Sequence, residues 1–563
     1  MDTKRYILAI GLSMIVLIVY MRFFGPQPVP VESRPAAEQA GAEQQPAASR
    51  PAETAAAKPA PPSAGRSIVA ATQGKEIIIE TDLVKAAVNT AGGVITRWEL
   101  KHFREADKSE VGVGPFFRRL FGGHVQEAAP AHELGNVQLF TRYAGVSRDE
   151  VIAPLTLVPT EKSLEKLSSV EYRSNQDSIR LDRTSASKTL ILTYRGPGGL
   201  SVEKRLTFHN DSYRMDVEIL TTGLDGYHLS LGTDFGMSDK VSSNASGRVG
   251  VAAIVDNKLA TEKFESIKGE LQQSGAIEWF GQHDKYFAAT LLSGAPGIVT
   301  TKRTPAPKEI GDLVTSSLLV KDKPGDRTFT LYAGPMSFND LQAYGKGLEQ
   351  LVDYGWFGIL ARPMFWLMNQ FYAITRNYGI AIILLTIVVR ALLFYPSLKS
   401  ATAMEEMKAL QPEMNALREK YKKDPQKMNQ EIMRLYKEHK VNPLGGCLPM
   451  LLQLPFFVAL YNVLSVSIEL RQSPFISFWI KDLSVHDPFY ILPVLMGVSM
   501  VATMQMTSTS VDPQQKKMMM FMNIAFIFLF AWLPAGLLLY ITLSNVLSIV
   551  QQLYVRRLIA TGK

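Results

Sequence analysis

Residues 377–398 read NYGIAIILLTIVVRALLFYPSL, 22 positions that carry a single charge, Arg390. A bilayer core of roughly 30 Å needs about 20 apolar residues at 1.5 Å each, so this stretch is long enough to cross once. Arg390 stands nine residues before Lys399, which in a helix puts it about 13 Å deeper than that boundary residue. Snorkelling does not cover that depth. An ion pair needs an acid, and the other apolar runs of the C-terminal third contain no Asp or Glu. Arginine does not give up its proton. The remaining way to avoid a large desolvation cost is water, so the charge predicts a polar cavity open to one side, the cytoplasmic side being nearer.

The same search for uncharged runs finds 6–21, 441–468, 488–511 and a 38-residue run, 518–555, broken by the turn signal Leu533-Pro534-Ala535-Gly536. That gives six expected spans: an anchor within 1–25, then 377–398, 441–468, 488–511, 518–534 and 535–555. Charges between them alternate. Lys4 and Arg5 precede the first run, 399–440 carries ten basic against seven acidic residues, 469–487 holds two basic and three acidic, and 512–517 contains Lys516 and Lys517. With Arg556, Arg557 and Lys563 in the tail 556–563, the pattern predicts both termini in the cytoplasm and 26–376 exported. Met21-Arg22-Phe23-Phe24 is too bulky for a cleavage site, so a retained signal anchor is favoured over a cleaved signal peptide. The net charge of +8 concentrates beside the apolar runs, which points to topology rather than nucleic acid.

Between anchor and core the composition changes twice. Residues 26–66 hold nine prolines and no aromatic side chain, and they read as a disordered tether. Residues 67–337 show short β-branched runs, among them EIIIE at 76–80, then 188–195 and 200–208 flanking Gly196-Pro197-Gly198-Gly199, and 213–220, with further pieces at 297–302, 316–320 and 327–332. An antiparallel β-sandwich is the economical fold. With Cys447 the sole cysteine, no intramolecular disulfide supports it, and nearly 300 residues suffice for a core. His209, His228 and His283 lie near Asp211, Asp234 and Asp284 in sequence, but the spacings match no ligand motif, so a scaffold or docking role is expected, with no metal and no catalytic residue.

Residues 338–376 mix Trp356, Phe357, Phe365, Trp366 and Phe371 with Arg362 and Arg376, too charged to span; a helix begun by Pro363 and lying in the outer interface is expected. In 399–440, Met407, Leu410, Met414, Leu417 and Tyr421 keep 3,4 spacing, and Asp424-Pro425 starts a second helix with Met428, Ile432 and Leu435 in phase, a cytoplasmic helical hairpin suited to a membrane surface or partner. Thr386, one turn from Arg390, together with Gln453, Asn462, Thr503, Gln505, Thr542, Ser544 and Asn545, could line the cavity or serve as helix glue.

The run VNPLGGCLPMLLQLPFFVALY at 441–461, with LLTIVVR at 384–390, ELRQSPF at 469–475, DPFYILPVLMG at 487–497 and LSNVLSIVQQ at 543–552, closely resembles the insertase family that includes YidC and its mitochondrial and chloroplast relatives. The resemblance covers anchor, exported domain, hairpin and five-span core. It implies a polytopic α-helical membrane protein of the bacterial inner membrane with a large periplasmic β-supersandwich. It also implies insertion and folding of nascent membrane proteins, alone or with the SecYEG translocon and SecDF, with transient ribosome contact through the cytoplasmic loops and no cofactor. The resemblance makes Arg390 the groove's positive charge and places Thr386, Gln453 and Tyr540 at matching positions; Ile541 stands where some relatives carry a second tyrosine. Asn545 joins the expected client-binding groove from its place in the last span. A secondary transporter or channel with an anion site at Arg390 is the alternative, since a hydrated intramembrane arginine also suits anions; a purely structural envelope protein is the third reading.

Overall fold

The computed structural model describes residues 74–105, 135–140, 151–161, 167–238, 249–306, 311–321, 327–422, 424–439, 441, 448–507 and 513–560. The expected anchor and tether, 1–25 and 26–66, lie outside the described residues. Those described up to Gly334 form one compact unit and those from Pro335 onward the other.

The first unit is built of β-strands in two sheets. One runs in the order Asn136–Phe140, Val94–Arg104, Val84–Asn89, Glu76–Glu80, Ser178–Arg180; the other has twelve strands. The expected hairpin is present, Ser187–Arg195 pairing with Ser201–His209 around Pro197–Gly199, where Gly198 takes φ 71°. Ser201–His209 and Arg214–Thr222 alternate buried and half-buried positions, the period-2 pattern of strands with one covered face. The expectation of a purely antiparallel domain is corrected at one edge. Glu76–Glu80 pairs parallel with Ser178–Arg180, which the long intervening chain permits, because a parallel neighbour needs a crossover rather than a tight turn.

Trp98 lies at the centre of this core, 1% exposed, stacked on Phe208 and edge-on to Phe235, with its indole N–H donating to the Ala333 carbonyl at 3.0 Å. Lys204 is buried in the same unit in sequence-distant company. Its ammonium donates to the carbonyls of Gly92, Gly93 and Leu155 at 2.9, 2.9 and 2.8 Å and stands over the Tyr172 ring. Burial pushes the Lys204 pKa down to about 7. Three acceptors require three N–H donors, which only the charged form supplies. The residue therefore fastens two turns to the larger sheet through a fully bonded cation.

The second unit is helical: α1 (Phe338–Tyr344), α2 (Gly358–Thr375), α3 (Tyr378–Leu392), α4 (Phe394–Ala409), α5 (Gln411–Lys420), α6 (Pro425–Glu438), α7 (Leu448–Val466), α8 (Ile491–Thr507), α9 (Pro513–Phe530) and α10 (Ala535–Ala560). The expected straight span 377–398 is broken: α3 and α4 meet at Leu393 with a bend of 60°. Pro396 supplies the reason, since its ring clashes with the Leu392 carbonyl four residues back and it has no N–H to continue the ladder. Pro363 lies inside α2 rather than starting it, because the helix begins at Gly358. By length and hydropathy, among the described residues Ala535–Arg557 is the one single helix long and apolar enough to cross a membrane, and the bent pair Tyr378–Leu392 with Phe394–Met407 passes together; Leu452–Val466, Ile491–Met506 and Met520–Phe530 are shorter apolar helices.

The turn between α9 and α10 falls where Leu533 to Gly536 placed it, and the Ala535 and Gly536 N–H groups donate to the carbonyls of Val485 and Leu483. Asp487 caps α8 by accepting from the Phe489 and Leu492 amides. Asp424 likewise accepts from the Lys427 amide at the start of α6, and Leu410, Met414 and Leu435 close the small core of the α5–α6 hairpin, as the 3,4 spacing indicated. In α2, Ala361, Met364, Phe365 and Met368 are buried while Ile359, Trp366 and Ile374 are exposed, so the helix is apolar on two faces.

Candidate functional site

Three helices converge on Arg390. α3 carries the arginine, α7 presents Gln453 and α10 presents the Ser544 carbonyl; the Arg390 Nη2 donates to Gln453 Oε1 at 3.1 Å and to the Ser544 oxygen at 2.7 Å. Both bonds use one nitrogen. A guanidinium has five N–H donors, and among the described residues no carboxylate pairs with Arg390 and its Nε and Nη1 make no hydrogen bond. Tyr540, 1% exposed and one turn before Ser544, interacts with the charge from α10.

The other expected residues are placed differently. Thr386 is fully buried and its hydroxyl donates back to the Ile382 carbonyl at 2.6 Å, so it sits one turn from Arg390 with its proton spent on its own helix. Asn545 turns away from the arginine and donates to Ser499 Oγ in α8 at 3.0 Å. Asn462 bonds the Tyr354 carbonyl. The structure thus brings Arg390, Gln453 and Tyr540 together and sets Thr386 and Asn545 beside them on α3 and α10. Composition gave no signal for the Ser544 carbonyl, since any residue supplies one. The hydroxyl of Thr542 in the same helix is buried with no hydrogen-bond partner among the described residues, while the Ser544 side chain faces Tyr540. Buried polar atoms of this kind are ordinarily satisfied by water.

The histidines of the β unit assemble no comparable centre. His209 bonds Asp216 at 2.8 Å rather than Asp211, His283 meets the Asp284 carbonyl, and burial pulls the His228 and His283 pKa values down. Among the described residues no group of three or more His, Cys, Asp or Glu could hold a metal ion.

A family model described as 60Kd inner membrane protein matches residues 370–562, and one described as YidC periplasmic domain matches residues 124–367. Membrane protein insertase YidC of Geobacter metallireducens is 35% identical over 568 residues, covering 100% of this chain and 99% of its own length. Membrane protein insertase YidC of Cupriavidus necator is 33% identical over 601 residues, with 100% and 99% covered. Among solved structures, an active YidC insertase with its first transmembrane domain resolved aligns with 86% of this chain and 94% of its own at 18% identity and a TM-score of 0.36. Full-length identity at this level settles the relationship: the chain belongs to the YidC family of membrane protein insertases.

Proposed function

We propose that this chain inserts, folds and helps assemble integral membrane proteins, alone and together with the SecYEG translocon and SecDF, with brief ribosome contact through its cytoplasmic loops. The observation that carries the reading is Arg390: a cation on an apolar helix, with no acid partner among the described residues and one bonded nitrogen. Its remaining donors are suited to water and to the acidic or polar groups of a client's exported segment. Arg390, Gln453 and Tyr540 form the centre of a hydrated groove, with Thr386 and Asn545 on its walls.

The topology that goes with this function has six spans, both termini in the cytoplasm, residues 26–376 in the periplasm and 399–440 as a cytoplasmic hairpin. Arg390 lowers the barrier for polar client residues by offering a charge inside a dry layer. Apolar client segments leave sideways into lipid, gaining about 25 cal/mol for each Å² of apolar surface buried, which drives a span across without nucleotide hydrolysis. The exposed Ile359, Trp366 and Ile374, with Trp356 just before the helix, suit α2 to the outer interface, where aromatic side chains favour the headgroup region. Photo-crosslinkers at Thr386 and Tyr540 in proteoliposomes are expected to capture a nascent single-span client. Silence at both positions, with insertion still occurring, would remove the groove as the route.

A further inference from the structure

Near the C-terminal end of α10 two polar side chains reach back to the bent helix α4. Gln551 donates to the Phe394 carbonyl at 3.1 Å, at the start of α4. Arg556 Nε donates to Glu405 Oε1 at 3.2 Å, near its end, and Arg556 Nη2 donates to the Met506 carbonyl at 2.8 Å in the last turn of α8. Met506 is next to last in α8, where carbonyls lack intrahelical partners and a cation is favoured by the helix dipole. One guanidinium therefore ties together the ends of α4, α8 and α10. It lies twelve residues beyond Ser544, about 18 Å along α10 from the carbonyl that holds Arg390.

The joint it spans is the bend at Leu393. α3 and α4 meet at Leu393 at a 60° bend with Pro396 just beyond; the Leu393 amide donates to the Val389 carbonyl and the Ser397 amide to the Leu393 carbonyl across it, while Pro396 has no amide to add to them. We infer that Arg556 is a positioning residue that sets the angle of α4 about Leu393, and with it the place of the hairpin beside the inner end of the Arg390 groove. The effect on insertion rests on the groove reading; the effect on the bend does not. Arg556 and Glu405 side chains are 39% and 24% exposed, so the pair is screened by salt and suited to release and re-form rather than to lock.

The test is a charge swap in the full chain with Cys447→Ser. Spin labels at Met433→Cys on α6 and Val550→Cys on α10, both exposed, report the hairpin distance by pulsed electron resonance, and client insertion into proteoliposomes is measured in parallel. Arg556→Glu and Glu405→Arg singly are expected to broaden the distance distribution and to lower insertion about 2- to 5-fold, the range for a partly exposed pair. The double variant Glu405→Arg/Arg556→Glu is expected to recover both. Unchanged distances in the single variants, or a double variant no better than either single, would overturn the positioning role. Distances that broaden and recover while insertion stays constant would leave the positioning role standing and count against the groove reading instead.

Discussion

Each unit holds a cation away from bulk water, Lys204 fully buried and Arg390 half-buried, and they treat it in opposite ways. Lys204 in the β unit gives all three N–H donors to main-chain carbonyls within 2.9 Å. Among the described residues, Arg390 in the helical unit bonds through one nitrogen. A buried charge with every donor paired is a fastener, because removing it strands its acceptors. A charge with donors to spare on an apolar helix is suited to partners from outside the protein, water or a ligand, which is the reading proposed for Arg390.

Substitution of both residues by a similar-sized apolar side chain makes that contrast measurable. Lys204→Met leaves three carbonyls in the core without partners and is expected to cost about 3–5 kcal/mol, read as loss of the folded β unit in chemical denaturation. Arg390→Met strands two acceptors at most, both in a polar cluster, and is expected to change unfolding in detergent by about 1 kcal/mol or less. Equal losses at the two positions would erase the distinction.

Glu469 sharpens the comparison from the acidic side. It lies in the loop after α7, and burial pushes its carboxyl up to about 7, with the negative charge of Asp340 acting in the same sense; its Oε1 has no hydrogen-bond partner among the described residues. Ser337 and Asp340 face it from the start of α1, Tyr354 from the segment before α2, and Tyr378 from α3. A carboxyl whose folded pKa exceeds its ordinary 4.5 holds its proton more tightly when folded. The stability it contributes is complete below 4.5 and is lost as pH rises through about 7. Thermal unfolding in detergent between pH 4.5 and 8 is therefore expected to fall with pH, and Glu469→Gln to flatten the slope. A slope untouched by the substitution would place the titration elsewhere.

Much of this was legible in sequence, for identifiable reasons. The hairpin at 187–209 declared itself because alternating residues flank a proline-glycine turn, and the break before Ala535 because Leu533 to Gly536 cannot continue a helix cleanly. Strands such as Gly250–Val255 gave no signal: all but the last residue are buried, so no alternation marks them. The parallel edge at Ser178–Arg180 is three residues long and depends on a partner about a hundred residues away. At the site, charge arithmetic pointed to Arg390, because a lone cation among apolar residues is conspicuous, whereas Gln453 stood only among several polar residues of the spans and at a position matching the family. The Ser544 carbonyl and the inward bond of Thr386 were hidden, since the first involves no side chain and the second depends on rotamer rather than residue type. The kink at Leu393 was readable from Pro396, yet a count of uncharged residues passes over it.

The central claim is that Arg390 works through its charge in a hydrated groove, and the direct measurement is insertion of a client with an acidic exported segment into proteoliposomes containing the purified chain. A favourable unit charge about 4 Å away is worth up to about 4 kcal/mol at an effective dielectric of 20. Arg390→Lys is expected to keep most of the insertion rate and Arg390→Ala to lose about tenfold or more, with the loss vanishing for a client whose exported segment has no acidic residue. Insertion of the acidic client by Arg390→Ala at the rate of the unsubstituted chain would contradict the account.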